Sequence, residues 1–235
     1  MSENGLKEKL EEIMKSFEEP FVSEADFQFS LSNKLQEELK DELCKPNSGI
    51  MLEFPTKIKY NEKDEDKDVS IDICVKIEGI RYFIELKYKT KKDVSNRFGE
   101  KIELKDQAAH DLGRYGFIKD IKKMEVIREK YKNSINYCIF LTNDVNYEKK
   151  QENTLDENFS LHKKIPKENL CWNETCICIN REEGKVHWTT KYENIETLQN
   201  SYVCNWEELE KMKTEKGTLF RYLLITIPPE RKIDK

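Results

Sequence analysis

The sequence predicts an α/β fold, an α+β mixed sheet with helices against its faces, and three observations predict it. Three strand-like runs follow one another between Gly49 and Lys89, helical patterns lie on either side of them, and SINYCIFLTND (134 to 144) supplies a further strand. The 235 residues are enough for one domain of generous size, and neither an internal repeat nor a Pro- or Gly-rich linker divides them.

The first helix is expected over residues 6 to 17, where Leu6, Leu10, Ile13, Met14 and Phe17 recur at helical spacing before Pro20. A second runs from Ser23 or Glu24 to Cys44, with Phe27, Leu31, Leu35, Leu39 and Leu43 four residues apart, until Pro46 and Asn47-Ser48-Gly49 stop it. Strands follow at Gly49 to Tyr60, Val69 to Ile77 and Ile80 to Lys89. An acidic stretch (61 to 68) makes the first connection, and a tight Glu78-Gly79 turn makes the second. A long helix is expected from Leu104 to Tyr131, bent or closely approached at Gly113 and Gly116, and it leads into the strand at 134 to 144. Beyond a polar loop at 146 to 169, the tail offers short β-like runs at Thr175 to Ile179, Lys185 to Trp188 and Leu219 to Ile227. It also holds one helical piece near Asn205 to Lys213.

Composition narrows the function classes. Hydrophobic and charged residues each make up 37%, and the apolar ones recur regularly, as in a globular chain rather than a disordered one. No run approaches the roughly 18 apolar residues of a membrane helix, and the first twenty residues are too acidic and interrupted for a signal peptide, so the chain is expected in the cytoplasm with no membrane partner. The 7 cysteines then read as reduced residues, and Cys171, Cys176 and Cys178 lack the companions a zinc site needs. The net charge of −5 hides an asymmetry: residues 85 to 132 hold 14 Lys and Arg against 9 Asp and Glu, while the rest holds 27 against 37.

Both later strands of the trio alternate. Val69, Ile71, Ile73, Val75 and Ile77 share one face of the second, with Ser70, Asp72, Cys74 and Lys76 opposite; Arg81, Phe83, Glu85, Lys87 and Lys89 share a face of the third. Asp72, Glu85 and Lys87 therefore converge on one polar surface of a hairpin. Two carboxylates beside a lysine suit a magnesium ion, which takes hard oxygen ligands and keeps several waters, while the ammonium orients or helps deprotonate an attacking water. An amphipathic hairpin with a solvated outer face is the structural alternative.

Asp72, a 12-residue gap and then Glu85-Leu86-Lys87 in an extended run resemble the PD-(D/E)xK nuclease superfamily, in particular bacterial and phage nucleases of RecB type. The likeness covers residues 24 to 144. It implies a restriction-endonuclease-like αβββαβ core, here with an N-terminal helix and a C-terminal β-rich extension (145 to 235) packed on the same single domain, 1 to 235. It also implies a Mg²⁺- or Mn²⁺-dependent hydrolase cutting phosphodiester bonds of nucleic acid, most naturally DNA, with a homodimer or a partner protein possible. The alternative is a nuclease-fold binding or assembly module that no longer cuts.

Members of the superfamily often add a glutamate from the helix before the first strand. Stepping about 100° per residue from Leu31 puts Glu38 near −20°, at the edge of the apolar stripe, and Glu42 near 20°, an equal candidate geometrically. Glu38 is preferred, jointly with Glu53 on the first strand, as a further metal carboxylate. RecB-type nucleases also carry a glutamine after the ExK strand, which Gln107 resembles, although the expected tyrosine one turn later is Asp111. Gln107, Asp111 and Arg114 share a helix face at i, i+4 and i+7 and are expected to bind a scissile phosphate or fix the lysine, Gln107 as an auxiliary catalytic residue, and Lys89 is expected to meet substrate phosphates with Asp111 and Arg114. Lys91, Lys92, Arg97 and Lys101 are candidates for the same task, whereas Trp172, Trp188 and Trp206 are expected in the core.

Overall fold

A computed structural model describes residues 5–60, 64–107, 109–173, 194–195 and 197–228. The helices are α1 (Gly5–Ser16), α2 (Glu24–Glu38), the single turn α3 (Lys40–Leu43) and α4 (His110–Lys130). The strands are β1 (Gly49–Ile58), β2 (Lys67–Ile77), β3 (Ile80–Lys89), β4 (Asp93–Arg97), β5 (Glu100–Leu104), β6 (Ser134–Thr142), β7 (Lys164–Ile165), β8 (Tyr202–Val203), β9 (Trp206–Lys213) and β10 (Leu219–Ile227). A six-stranded mixed sheet runs β1-β2-β3-β6-β10-β9. Only β3 and β6 pair in parallel, which requires a crossover, and α4 lies on that connection. The fold is thus mixed α+β. Among the described residues no helix is long and apolar enough to cross a membrane.

Both sheet faces are covered. On one, Leu6, Leu10, Phe27, Leu31 and Leu35 of α1 and α2 pack on Tyr82, Ile84, Leu86 and Tyr88 of β3 and on Tyr137, Ile139 and Leu141 of β6. On the other, Phe117, Ile118, Ile121, Met124 and Ile127 of α4 meet Phe83, Cys138 and Phe140. β6 is buried along its whole length, as a central strand covered on both faces should be. The polar face of β3 is therefore not a solvated hairpin surface but the floor beneath α4.

Three elements differ from expectation. The polar stretch after Lys89 forms the β4–β5 hairpin, closed by Phe98 (φ 51°) and Gly99 (φ 80°). Two successive residues with positive φ make the tight turn whose twist matches the strands, and a phenylalanine there hides the signal that Asn-Gly would give. Consequently α4 starts at His110 rather than 104. Residues 206–213 are the edge strand β9, not a helix. Leu209 and Met212, three apart, both reach the same core because the ladder with β10 shifts register between Leu219 and Phe220. β9 and β10 thereby extend the main sheet. The β-like runs at Thr175 to Ile179 and Lys185 to Trp188, with Cys176, Cys178, His187 and Trp188, lie outside the described residues.

The sheet is irregular around Asp72. Ile73, Val75 and Ile77 face α1 and α2, but Ile71 joins the α4 side, so alternation in β2 breaks at Asp72. Opposite it on β1, Glu53 takes φ 50°, and its neighbours Ile50 and Phe54 likewise contact opposite cores. The β2–β3 ladder ends at Ile73↔Ile84. Beyond that pair the two strands part.

Candidate active site

Parting from β2 leaves the N–H groups on that edge of β3 without ladder partners, and side chains take them in turn. Asp72 Oδ2 accepts from Leu86 N (2.6 Å), Glu24 Oε2 from Tyr88 N (2.7 Å), and Gln107 Oε1 from Thr90 N (2.9 Å). Unpaired backbone donors in a protein interior are costly, so this row is what permits the strands to diverge. Gln28 closes the gap from α2, donating to Glu53 Oε1 and to the Asp72 carbonyl, both at 2.7 Å.

On the α4 side, Lys87 Nζ lies 2.9 Å from Asp120 Oδ2, and Lys123 Nζ is hydrogen-bonded to Glu85 Oε1 and, at 3.2 Å, to the Ser70 carbonyl. The charges of Asp120, Glu24 and Glu85 act on Lys87, those of Glu85, Asp120 and Asp72 on Lys123, and those of Glu24 and Glu53 on Asp72. Burial pushes the Asp72 carboxyl up to about 6, against the pull of the Leu86 N–H and Lys123. Burial, with repulsion from Asp120 and Asp72, pushes Glu85 up to about 8 despite its lysine. For Lys87 burial alone would lower the ammonium's pKa, but Asp120 and Glu24 outweigh it and the group is raised above the ordinary lysine value. Glu85 Oε2 is buried and finds no hydrogen-bond partner among the described residues.

The structure brings Asp72, Glu85 and Lys87 together, with Glu53 beside them through Gln28. It does not bring Glu38, which is exposed at the last turn of α2, about 21 Å along the axis from Glu24 at 1.5 Å per residue. Glu24 occupies the place expected of Glu38 because the first turn of α2, not its last, lies against the open edge of β3. Gln107 precedes α4 and serves the backbone, its own N–H also donating to the Thr90 carbonyl at 2.9 Å. Arg114 is 4% exposed, with Nε on Asp156 Oδ2 (2.5 Å) and Nη1 on the Asn146 carbonyl (3.2 Å), so it is an internal strut and not a phosphate ligand. Asp111 folds back onto Leu112 N (2.9 Å). Lys89 lines a small cavity with Glu24, Thr90 and Gln107. Arg97 is pinned to Asp26 and Ser30 of α2, and Lys101 pairs with Glu215; Lys91 and Lys92 remain exposed. Trp172 is buried and Trp206 half-buried, as expected.

Asp120, Lys123 and Glu24 were not singled out by sequence. One signal was present: counting from Phe117, Asp120 falls near −60°, between Met124 near −20° and Ile127 near −80°, inside the apolar stripe. A carboxylate there must face something polar across the interface.

Hard oxygen donors and the orphaned Glu85 oxygen fit a magnesium ion, which needs only one or two carboxylates and keeps its remaining waters. Among the described residues no three His, Cys, Asp or Glu side chains are grouped so as to hold a metal ion by themselves. Comparison with family models, with curated proteins and with solved structures finds no match to this chain.

Proposed function

We propose that the chain is a divalent-metal-dependent nuclease, with a restriction-endonuclease-like core formed by α2, β1, β2, β3, α4 and β6. The observation that carries this reading is the convergence of Asp72, Glu85 and Lys87 where β2 and β3 separate, with one buried Glu85 oxygen unclaimed. Asp72 and Glu85 would hold Mg²⁺ or Mn²⁺, and Glu24 and Glu53 would add negative charge around it. When bound, the ion supplies a Lewis acid for a phosphodiester oxygen and lowers the pKa of a coordinated water. Lys87 stays protonated, since its pKa is raised, so it does not serve as a base. It would donate hydrogen bonds that orient a water and offset charge building on the phosphate, while Asp120, 2.9 Å away, holds its charge in place. The exposed Lys91 and Lys92, with Lys216 in the cavity beyond the ends of β3 and β6, suit the backbone of a nucleic-acid strand.

The test is cleavage of linear, nicked and branched DNA and of RNA with Mg²⁺ or Mn²⁺ by wild type, Asp72→Asn and Lys87→Ala. Each variant is expected to lose activity at least about hundredfold; cleavage retained by both purified variants would assign the activity elsewhere.

A second reading, a nuclease-fold binding module that does not cut, is favoured by the Glu85–Lys123 and Lys87–Asp120 pairs, which neutralise the site internally. Calorimetric titration with Mn²⁺ separates the two. The nuclease binds metal and loses it in Asp72→Asn, whereas the module binds none.

A further inference from the structure

Among the described residues Lys123 is the cation ion-paired with Glu85, and the two reach each other across the interface between α4 and β3. Their side chains are 14% and 9% exposed, so the pair is largely shielded from water. Its geometry is incomplete for a structural ion pair. The ammonium engages Oε1, and Oε2 has no hydrogen-bond partner among the described residues, whereas a buried pair that stabilises a fold has its remaining lone pairs satisfied. Lys123 is also not confined to Glu85, because the Ser70 carbonyl already takes a share of its Nζ at 3.2 Å and the charges of Asp120 and Asp72 both act on it. A flexible four-carbon stem with other acceptors in reach can give up one carboxylate oxygen without leaving its charge unpaired.

Resting on the metal-dependent reading above, we propose that Lys123 is the resident counter-cation of the site, holding the Glu85 carboxylate until a divalent ion displaces its ammonium. Lys123 would then set the affinity for metal from the opposite direction to an ordinary supporting residue. A group that merely positions Glu85 weakens metal binding when removed; a competing cation strengthens it.

That difference in sign is the test. Mn²⁺ alone is titrated calorimetrically into wild type, Lys123→Met and Lys123→Arg at one pH and ionic strength, with metal-free thermal melts to establish that each variant is folded. Lys123→Met is expected to bind about tenfold more tightly than wild type, and Lys123→Arg, which keeps the charge, no more tightly than wild type. Lys123→Gln, neutral but still a hydrogen-bond donor, serves if the methionine variant does not fold, and is expected to shift in the same direction. Wild-type binding with unchanged or weaker binding in the neutral variants overturns the proposal and leaves the metal site standing. Absence of binding in every protein, wild type included, removes the metal reading and this proposal with it.

Discussion

Glu125 and Glu85 are both buried glutamates, one on α4 and one on the strand beneath it, and their surroundings are opposite in kind. Glu125, fully buried, accepts from Gln199 N (2.9 and 2.8 Å to its two oxygens), Asn200 N (3.1 Å) and Tyr202 Oη (2.6 Å). Glu85 has one lysine on one oxygen and, among the described residues, no hydrogen-bond partner on the other. Burial raises the pKa of both. The first carboxylate gathers the chain at 199–202 onto α4 through backbone donors, which cannot be withdrawn without unfolding that segment. The second is held by a side chain able to move away. A fully satisfied buried carboxylate organises a fold, and a half-satisfied one is available for a ligand.

Removing each carboxylate should expose this difference most plainly. Glu125→Ala strands two backbone N–H groups and a tyrosine hydroxyl, and is expected to cost about 3 kcal/mol or more in chemical denaturation. A loss below about 1 kcal/mol would show that 199–202 is held by something else and would break the comparison.

Glu85→Gln should instead leave the fold intact and change its pH dependence. The folded carboxyl is raised from 4.5 to about 8. Between those values the folded chain keeps a proton that the unfolded chain releases, so this group's contribution makes stability fall as pH rises, with the full penalty present above about pH 8. Glutamine cannot ionise. The variant is therefore expected to lose this decline, its stability changing less than that of wild type as pH rises towards 8. Thermal melts across that range check the sign, and parallel curves for the two proteins would show that Glu85 does not carry the shift.

The smallest contrast lies between the two ends of α2. Glu24→Gln keeps an acceptor for Tyr88 N and removes a charge beside Asp72 and Lys87; it is expected to weaken Mn²⁺ binding about tenfold. Glu38→Gln should change neither metal binding nor stability beyond about 0.5 kcal/mol. Equal effects in calorimetry would undo the assignment of Glu24.

Much of the site was legible because a strand's side-chain period is fixed by its backbone. The bounds of β3 match the expected run from Ile80 to Lys89, and alternation alone puts Glu85 and Lys87 on one face. The helical wheel was less informative. It reports which side of α2 is apolar but not which end lies against the sheet, and so it pointed to Glu38 and Glu42 and not to Glu24. For the same reason Gln107, Asp111 and Arg114 looked like one functional face, although the hairpin β4–β5 occupies the chain to Leu104, Gln107 precedes the helix and Arg114 turns inward to Asp156.

By itself the sequence determined the mixed helix-and-strand character, the apolar faces of α1, α2, β3 and β6, and the pairing of two carboxylates with a lysine, since all of these follow from local periodicity. Only the tertiary structure decided that β2 and β3 part at Asp72, that the exposed β3 donors are capped by Asp72, Glu24 and Gln107, and that Asp120 and Lys123 descend from α4 onto Lys87 and Glu85. Those contacts join residues 14 to 64 positions apart. They depend on a kink at Glu53 and on how a helix lies across a sheet, and no local pattern of residues encodes either.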